Sequence, residues 1–131
     1  MVNGEEKISQ PLKSILLVED DPFLSNLIEL KLKNSGFGLI RARDGVEASE
    51  ILKKQKPDLV LLDLILPKKN GFELLEELRE DPYLKDLKVV ILSNLGQQAD
   101  IARGKALGVL DYFVKANFAL EELVNKIRQY I

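Results

Sequence analysis

Residues 58–71 read DLVLLDLILPKKNG, and the fold turns on this stretch. Leu59, Val60, Leu61 and Leu62 form an unbroken apolar run. A short run without alternation suits a strand covered on both faces, as in the middle of a parallel sheet. A single carboxylate, Asp63, follows at once, and Pro67 and Gly71 bound the loop beyond it. A charge set where a buried strand ends is costly unless a cation or a reaction uses it. Asp63 is therefore the first candidate site residue.

Working outward, apolar and amphipathic segments alternate. Residues 14–19 (SILLVE) read as a strand ending in acid. Asp21-Pro22 starts a helix, with Asp as N-cap and Pro at the first helical position. Leu24, Leu27, Ile28 and Leu32 recur at helical spacing, and Gly36 fits the stop. Residues 37–42 form a second strand. Asp44 and Glu47 have capping-box spacing and open a helix to about Gln55. Residues 58–63 are the third strand and 71–80 (GFELLEELRE) the third helix, ended by Asp81-Pro82. Residues 88–92 (KVVIL) are the fourth strand, followed by a helix over about 97–107 with Gly108 as its stop. Residues 110–114 are the fifth strand. Residues 118–130 are the last helix, with Leu120, Leu123, Val124 and Ile127 on its inner face. Five strand–helix units in strict alternation predict an α/β domain: a doubly wound, five-stranded parallel sheet with helices on both faces. In such sheets the ligand site lies beyond the carboxyl ends of the strands.

Composition narrows the chemistry. The chain has 131 residues, 46% hydrophobic and 31% charged, as expected of one globular domain with a proper core. Residues 14–131 form that domain, and residues 1–13, polar and carrying Gly4 and Pro11, read as a flexible N-terminal tail. The net charge is −2 and no basic stripe stands out, so no direct nucleic-acid partner is expected. Absence of cysteine and histidine excludes disulfides, a Cys or His metal site, a thiol nucleophile and a His base. No apolar run approaches the ~18 residues of a membrane span. The N-terminus lacks an apolar signal core, so the cytoplasm is the expected location and no membrane partner is expected.

The strand ends carry polar groups that belong together. The first strand ends in Glu19-Asp20-Asp21, the third in Asp63, the fourth in Ser93 and the fifth in Lys115. The second ends in the less telling Arg43-Asp44. Taken singly, each has an ordinary account: Glu19-Asp20-Asp21 caps a helix, Ser93 is a polar strand end, and Lys115 is a surface lysine. Their joint placement at one sheet edge is what argues for a site. Carboxylates this close repel and need a cation. With oxygen ligands only, that cation is Mg2+ or Mn2+ rather than zinc. Such an ion would also neutralise a phosphoryl oxygen, with Lys115 pairing with Asp63 and Ser93 donating a hydrogen bond.

With these residues in place, the chain resembles the receiver domains of two-component response regulators, the chemotaxis receiver among them. The matching motifs are LLVEDD (16–21), LLDLILPKKNG (61–71), ILS (91–93) and DYFVK (111–115). Asp20, Asp63, Ser93 and Lys115 are separated by 43, 30 and 22 residues, which fit the family's layout. The resemblance covers nearly all of residues 14–131. It implies the flavodoxin-like fold with strand order 2-1-3-4-5. Asp63 becomes the phosphorylated aspartate. Asp20 becomes a direct Mg2+ ligand, Glu19 a second acid acting through water, and the backbone carbonyl of Ile65 the third ligand. Ser93 is the switch hydroxyl, Lys115 the cation beside the acceptor, and Tyr112 the switch aromatic. The donor would be a phosphohistidine on a histidine kinase or a histidine phosphotransfer protein. The receiver would promote its own phosphotransfer and dephosphorylation, so it is a regulatory phosphoacceptor rather than an enzyme acting on other substrates. Signal would leave through the face of helix four, strand five and helix five, toward an effector that the sequence does not name.

Departures from the family pattern carry expectations of their own. Ala116 follows Lys115 where the family usually has proline, commonly cis; a cis bond before alanine costs about 2.5–4 kcal/mol, so a trans bond and an altered loop are expected. Asn94, after Ser93, replaces a small residue and restricts access. Ile65 and Leu95 stand where polar side chains often help hydrolysis, so slow autodephosphorylation is expected. No output segment follows Ile131, which leaves a stand-alone receiver or a piece of a longer protein. Lys105, Asp111, Glu121 and Lys126 offer charges for a weak homodimer; otherwise the chain is a monomer. The competing reading is a degenerate pseudo-receiver acting as an interaction module, opposed by the intact set of Glu19, Asp20, Asp63, Ser93 and Lys115. A haloacid-dehalogenase-type phosphatase would need an acid where Ile65 stands. A flavin-binding protein would need a phosphate-cradling loop after the first strand.

Overall fold

The computed structural model describes residues 12–131. The expected tail thus lies outside the described residues, except for Leu12 and Lys13, which are exposed and without regular structure. The chain runs β1 (Ser14–Val18), α1 (Pro22–Asn34), β2 (Gly38–Ala42), α2 (Gly45–Lys54), β3 (Leu59–Leu62), α3 (Gly71–Glu80), β4 (Val89–Ser93), α4 (Gln98–Ala106), β5 (Asp111–Val114) and α5 (Leu120–Tyr130). The strands form one parallel sheet in the order β2-β1-β3-β4-β5, the expected flavodoxin-like arrangement.

Burial explains why β3 sits centrally. All of Leu59, Val60, Leu61 and Leu62 are buried, and alternate residues face opposite layers. Val60 and Leu62 join Leu16, Val18, Val89 and Ile91 under Ala48 and Leu52 of α2 and Leu74, Leu75 and Leu78 of α3. Leu59 and Leu61 join Ile15, Leu17, Val90 and Leu92 under Ile28 and Leu32 of α1 and Leu123, Val124 and Ile127 of α5. No helix among the described residues is long and apolar enough to cross a membrane.

Register then aligns the strand ends. Val18 pairs with Leu62, Leu62 with Ile91 and Ile91 with Tyr112, while Ser93 pairs with Val114. Glu19 and Asp63, the next residues of β1 and β3, therefore emerge side by side, and Lys115 emerges just beyond Ser93's partner.

Helix ends follow local chemistry. Asp21 caps α1 by accepting from the Phe23 and Leu24 amides. Gly36, at φ 97°, turns the chain out of α1, with the Phe37 amide bonded to the Leu32 carbonyl at 3.1 Å. The Asp44–Glu47 pair departs from expectation. Asp44 caps α2 through the Glu47 amide at 2.7 Å, but the Glu47 carboxylate returns to the Arg43 amide rather than to that of Asp44. The complete capping box stands instead at α3, where Asn70 and Glu73 satisfy each other's amides. The fourth strand is shifted by one residue, so Ser93 closes β4 rather than following it, and the fifth helix starts at Leu120 after a 3-10 turn over Lys115–Asn117.

Candidate functional site

Backbone bonds fix the two central acids before their side chains act. The Glu19 amide bonds to the Ala42 carbonyl and the Asp63 amide to the Val18 carbonyl, each at 3.0 Å. Both residues are nearly closed to solvent, Glu19 at 2% exposure and Asp63 at 4%. The Lys115 ammonium bridges them, 2.8 Å from Asp63 Oδ2 and 2.9 Å from Glu19 Oε1. Asp63 Oδ1 accepts from the Ile65 amide at 3.2 Å, and Glu19 Oε2 from the Asp21 amide at 3.1 Å. Asp20 stands exposed beside them, and oxygens of Glu19, Asp20 and Asp63 all lie within 4.8 Å of one another.

The charge balance is unequal. Three carboxylates face one ammonium, leaving a net charge of −2 when all are ionised. Burial pushes the Glu19 carboxyl above its usual range; Lys115 and the Asp21 amide pull it back without cancelling, and the charge on Asp63 adds to the push. Burial alone would lower the Lys115 ammonium, but its bonds to Asp63 and Glu19 outweigh that and hold it above the usual lysine range. The shifts of these two partners have different meanings because Lys115 serves two acids while Glu19 shares its one cation with a second anion. An oxygen-only donor set with two uncompensated charges fits a divalent cation of the Mg2+ or Mn2+ type.

Around this cluster the remaining expected residues take their places. Ser93 is fully buried at the end of β4, and its hydroxyl accepts weakly from the Leu95 amide at 3.4 Å. Tyr112 on β5 is half-buried, and its hydroxyl donates to the Leu95 carbonyl. Burial, then the charges of Asp100 and Asp63, pushes the Tyr112 hydroxyl up to about 12. Ile65, two residues beyond Asp63, is 52% exposed, and Asn94 is exposed. No cis peptide occurs among the described residues, so Lys115–Ala116 is trans and the loop takes the 3-10 turn noted above. Of the charges expected to pair across a dimer, Glu121 is paired with Lys31, and Asp111 accepts from the Tyr130 hydroxyl while keeping its charge.

Three features escaped the sequence. The Glu19–Lys115 bond was hidden because nothing in a strand-end pattern says which acid a lysine reaches. Leu95, read for its side chain, contributes its carbonyl to Tyr112, while the side chain packs against the core. Gly71, read as a loop boundary and the first residue of the third helix, is sterically required: a Cβ there would lie 2.4 Å from the Asp63 carbonyl oxygen and 2.6 Å from Leu64 Cα. The glycine directly after Asn70, at the start of a helix, was the available signal.

A family model described as the response regulator receiver domain matches residues 15–128. RpaA of Synechocystis sp., a DNA-binding dual master transcriptional regulator, is 37% identical over 114 residues, covering 87% of this chain and 47% of that protein. The structure of the phosphorylated cyanobacterial phytochrome response regulator RcpA matches with a TM-score of 0.79 at 38% identity over 91% of each chain. The Mn2+-bound form of response regulator Rcp1 matches with a TM-score of 0.76 at 37% identity, over 89% of this chain and 90% of that one. The chain spans about half the length of the curated relatives it matches. The expectation of no nucleic-acid partner finds no support among them, since RpaA is described as DNA-binding. A match over nearly the whole sheet-forming chain, with the acidic pocket at its carboxyl edge, makes this protein a member of the response regulator receiver family.

Proposed function

We propose that this chain is the phosphoacceptor of a two-component phosphorelay, with Asp63 receiving the phosphoryl group. The observation that carries the reading is the Lys115 ammonium 2.8 Å from one oxygen of a buried carboxylate that has a second acid pair beside it. An Asp63 carboxylate oxygen attacks the phosphorus of a protein phosphohistidine; the P–O bond forms, the N–P bond breaks, and the electron pair leaves on the imidazole nitrogen. Lys115 fixes the carboxylate and then faces the added negative charge. Glu19, Asp20, Asp63 and the Ile65 carbonyl would hold Mg2+ or Mn2+, which supplies charge neutralisation for the phosphoryl oxygens. The Rcp1 and RcpA matches support both parts, one being a Mn2+-bound receiver and the other a phosphorylated one.

The donor is a protein, a histidine kinase or histidine phosphotransfer protein. Exposed Phe23, Leu27 and Leu30 form an apolar stripe along α1, beside the pocket, suited to a helical donor. Phosphorylation adds roughly −1.5 to −2 charge beside Lys115, drawing in the Ser93 hydroxyl, with Tyr112 following and the α4–β5–α5 face reporting the change. The protein acts in the cytoplasm as a regulator, and its effector is a protein or a DNA-binding segment of the kind its relatives carry.

Incubation with a kinase donor or acetyl phosphate and Mg2+, followed by mass spectrometry, should add one phosphoryl group to the wild type and none to Asp63→Asn. An unmodified wild type with the kinase donor would instead favour the pseudo-receiver, which no observation at the site supports.

A further inference from the structure

Gly104 is the only buried residue of α4. A Cβ there would lie 3.0 Å from Ile91 Cδ1, 3.3 Å from Tyr112 Cδ2 and 3.5 Å from Tyr112 Cε2. The helix thus rests on Ile91 and on the Tyr112 ring through bare backbone. With a side chain at this position, one of three neighbours must give way: the helix, Ile91 or the ring.

The helix is anchored. Arg79 donates to the Leu107 carbonyl at 2.6 Å and the Gly108 carbonyl at 3.3 Å, at the C-terminal end of α4. The same guanidinium holds the Lys85 and Leu87 carbonyls at 3.0 and 2.8 Å. Arg103 also lies over the Phe72 ring at 4.0 Å and pairs with Glu76 at 2.8 Å. The exposed ion pair contributes little, so the anchoring falls mainly to Arg79. Ile91 is fully buried in β4, where close packing leaves little slack. Tyr112 is half-buried, on the edge strand, and tied by its hydroxyl to the Leu95 carbonyl. It is the neighbour with a way out.

We propose that Gly104 is a positioning residue of the signalling face: its missing side chain keeps the Tyr112 ring beneath α4 with the hydroxyl on Leu95, and a side chain at 104 turns the ring outward. The size of residue 104 then sets the balance of ring positions without touching Asp63 or its acidic neighbours. The inference rests on the reading of Tyr112 as the switch aromatic, but its geometry can be tested without a phosphoryl group.

The test is fluorine NMR of the full chain labelled with fluorotyrosine, the Tyr112 signal being assigned with Tyr112→Phe. Tyr83, 67% exposed, serves as the solvent-exposed reference. The solvent isotope shift between water and deuterium oxide reports exposure. In the wild type the Tyr112 signal should be protected. In Gly104→Ala the isotope shift should move toward that of Tyr83, and in Gly104→Val it should reach it. Ile91→Val combined with Gly104→Ala removes the nearest contact and should restore protection. Beryllofluoride with Mg2+ should still bind the Gly104 variants, with an affinity that follows the ring position, since Asp63 and its acidic neighbours are intact. A protected Tyr112 in Gly104→Ala, or an exposed ring persisting in the double variant, overturns the proposal. Should Gly104→Val fail to fold, the other two variants decide. If beryllofluoride fails to bind the wild type, the phosphoacceptor reading falls, and the fluorine spectra still settle where the ring lies.

Discussion

Ile65 shows how one side chain sets a timescale. Its amide steadies Asp63, while its own side chain, half in solvent, offers water no hydrogen bond. We predict slow release of phosphate after the donor is removed; a wild-type lifetime of seconds would contradict this. Positioned acids and bases contribute roughly 10²–10⁴-fold, so an imperfectly placed one, Ile65→Glu, should speed release by about tenfold. Tyr112 gives a second measurement. Its hydroxyl ionises only near 12, chiefly because burial disfavours the phenolate. The folded-state value lies above that of the unfolded chain, so the fold favours the protonated form. The contribution to stability is complete below about pH 10 and is lost as pH rises through 12. Ultraviolet titration should show a late-ionising tyrosine that vanishes in Tyr112→Phe.

Among the elements, α3 is the one whose placement matters most, because its first residue touches the backbone of Asp63. Asn70 and Glu73 close a capping box, and Gly71 lets the helix start within van der Waals reach of the loop below. Asn70→Ala should cost about 1 kcal/mol in urea unfolding. Gly71→Ala should cost about 3 kcal/mol, the upper end of overpacking, since its contacts are backbone atoms that cannot turn aside. It should also weaken beryllofluoride binding, which Asn70→Ala should leave in place; equal effects of the two would mean that the close approach does not position Asp63. Capping signals were legible as residue types. Their partners were not, since Asp44 and Asn70 look alike until the chain on either side of them is placed.

For the whole molecule, the decisive quantity is the charge gathered at one sheet edge. Three acids against one ammonium make the cation-free pocket self-repelling, so Mg2+ should raise the melting temperature in a concentration-dependent way, by about 2.7 kcal/mol of stability at 100 times Kd. Asp20→Asn should raise the melting temperature without Mg2+ and lose most of the Mg2+ response; a variant that responds like the wild type would remove Asp20 from the ligand set. Switching between states nearly completely requires about 5.5 kcal/mol of differential stabilisation, within reach of a dianionic group placed beside Lys115. The sequence by itself determined the class of fold, because apolar runs of strand length alternating with helical periodicity leave few other ways to bury that surface. It also offered Glu19, Asp20, Asp63, Ser93 and Lys115 as candidate site residues, because polar groups at buried strand ends have to be accounted for. Tertiary structure alone decided which of them meet. The Val18–Leu62 register sets Glu19 beside Asp63, the reach of Lys115 from β5 spans both, and the bare backbone of Gly104 admits the Tyr112 ring. The first two join segments distant in the chain and the third joins consecutive elements, and all are fixed by packing that no local pattern encodes.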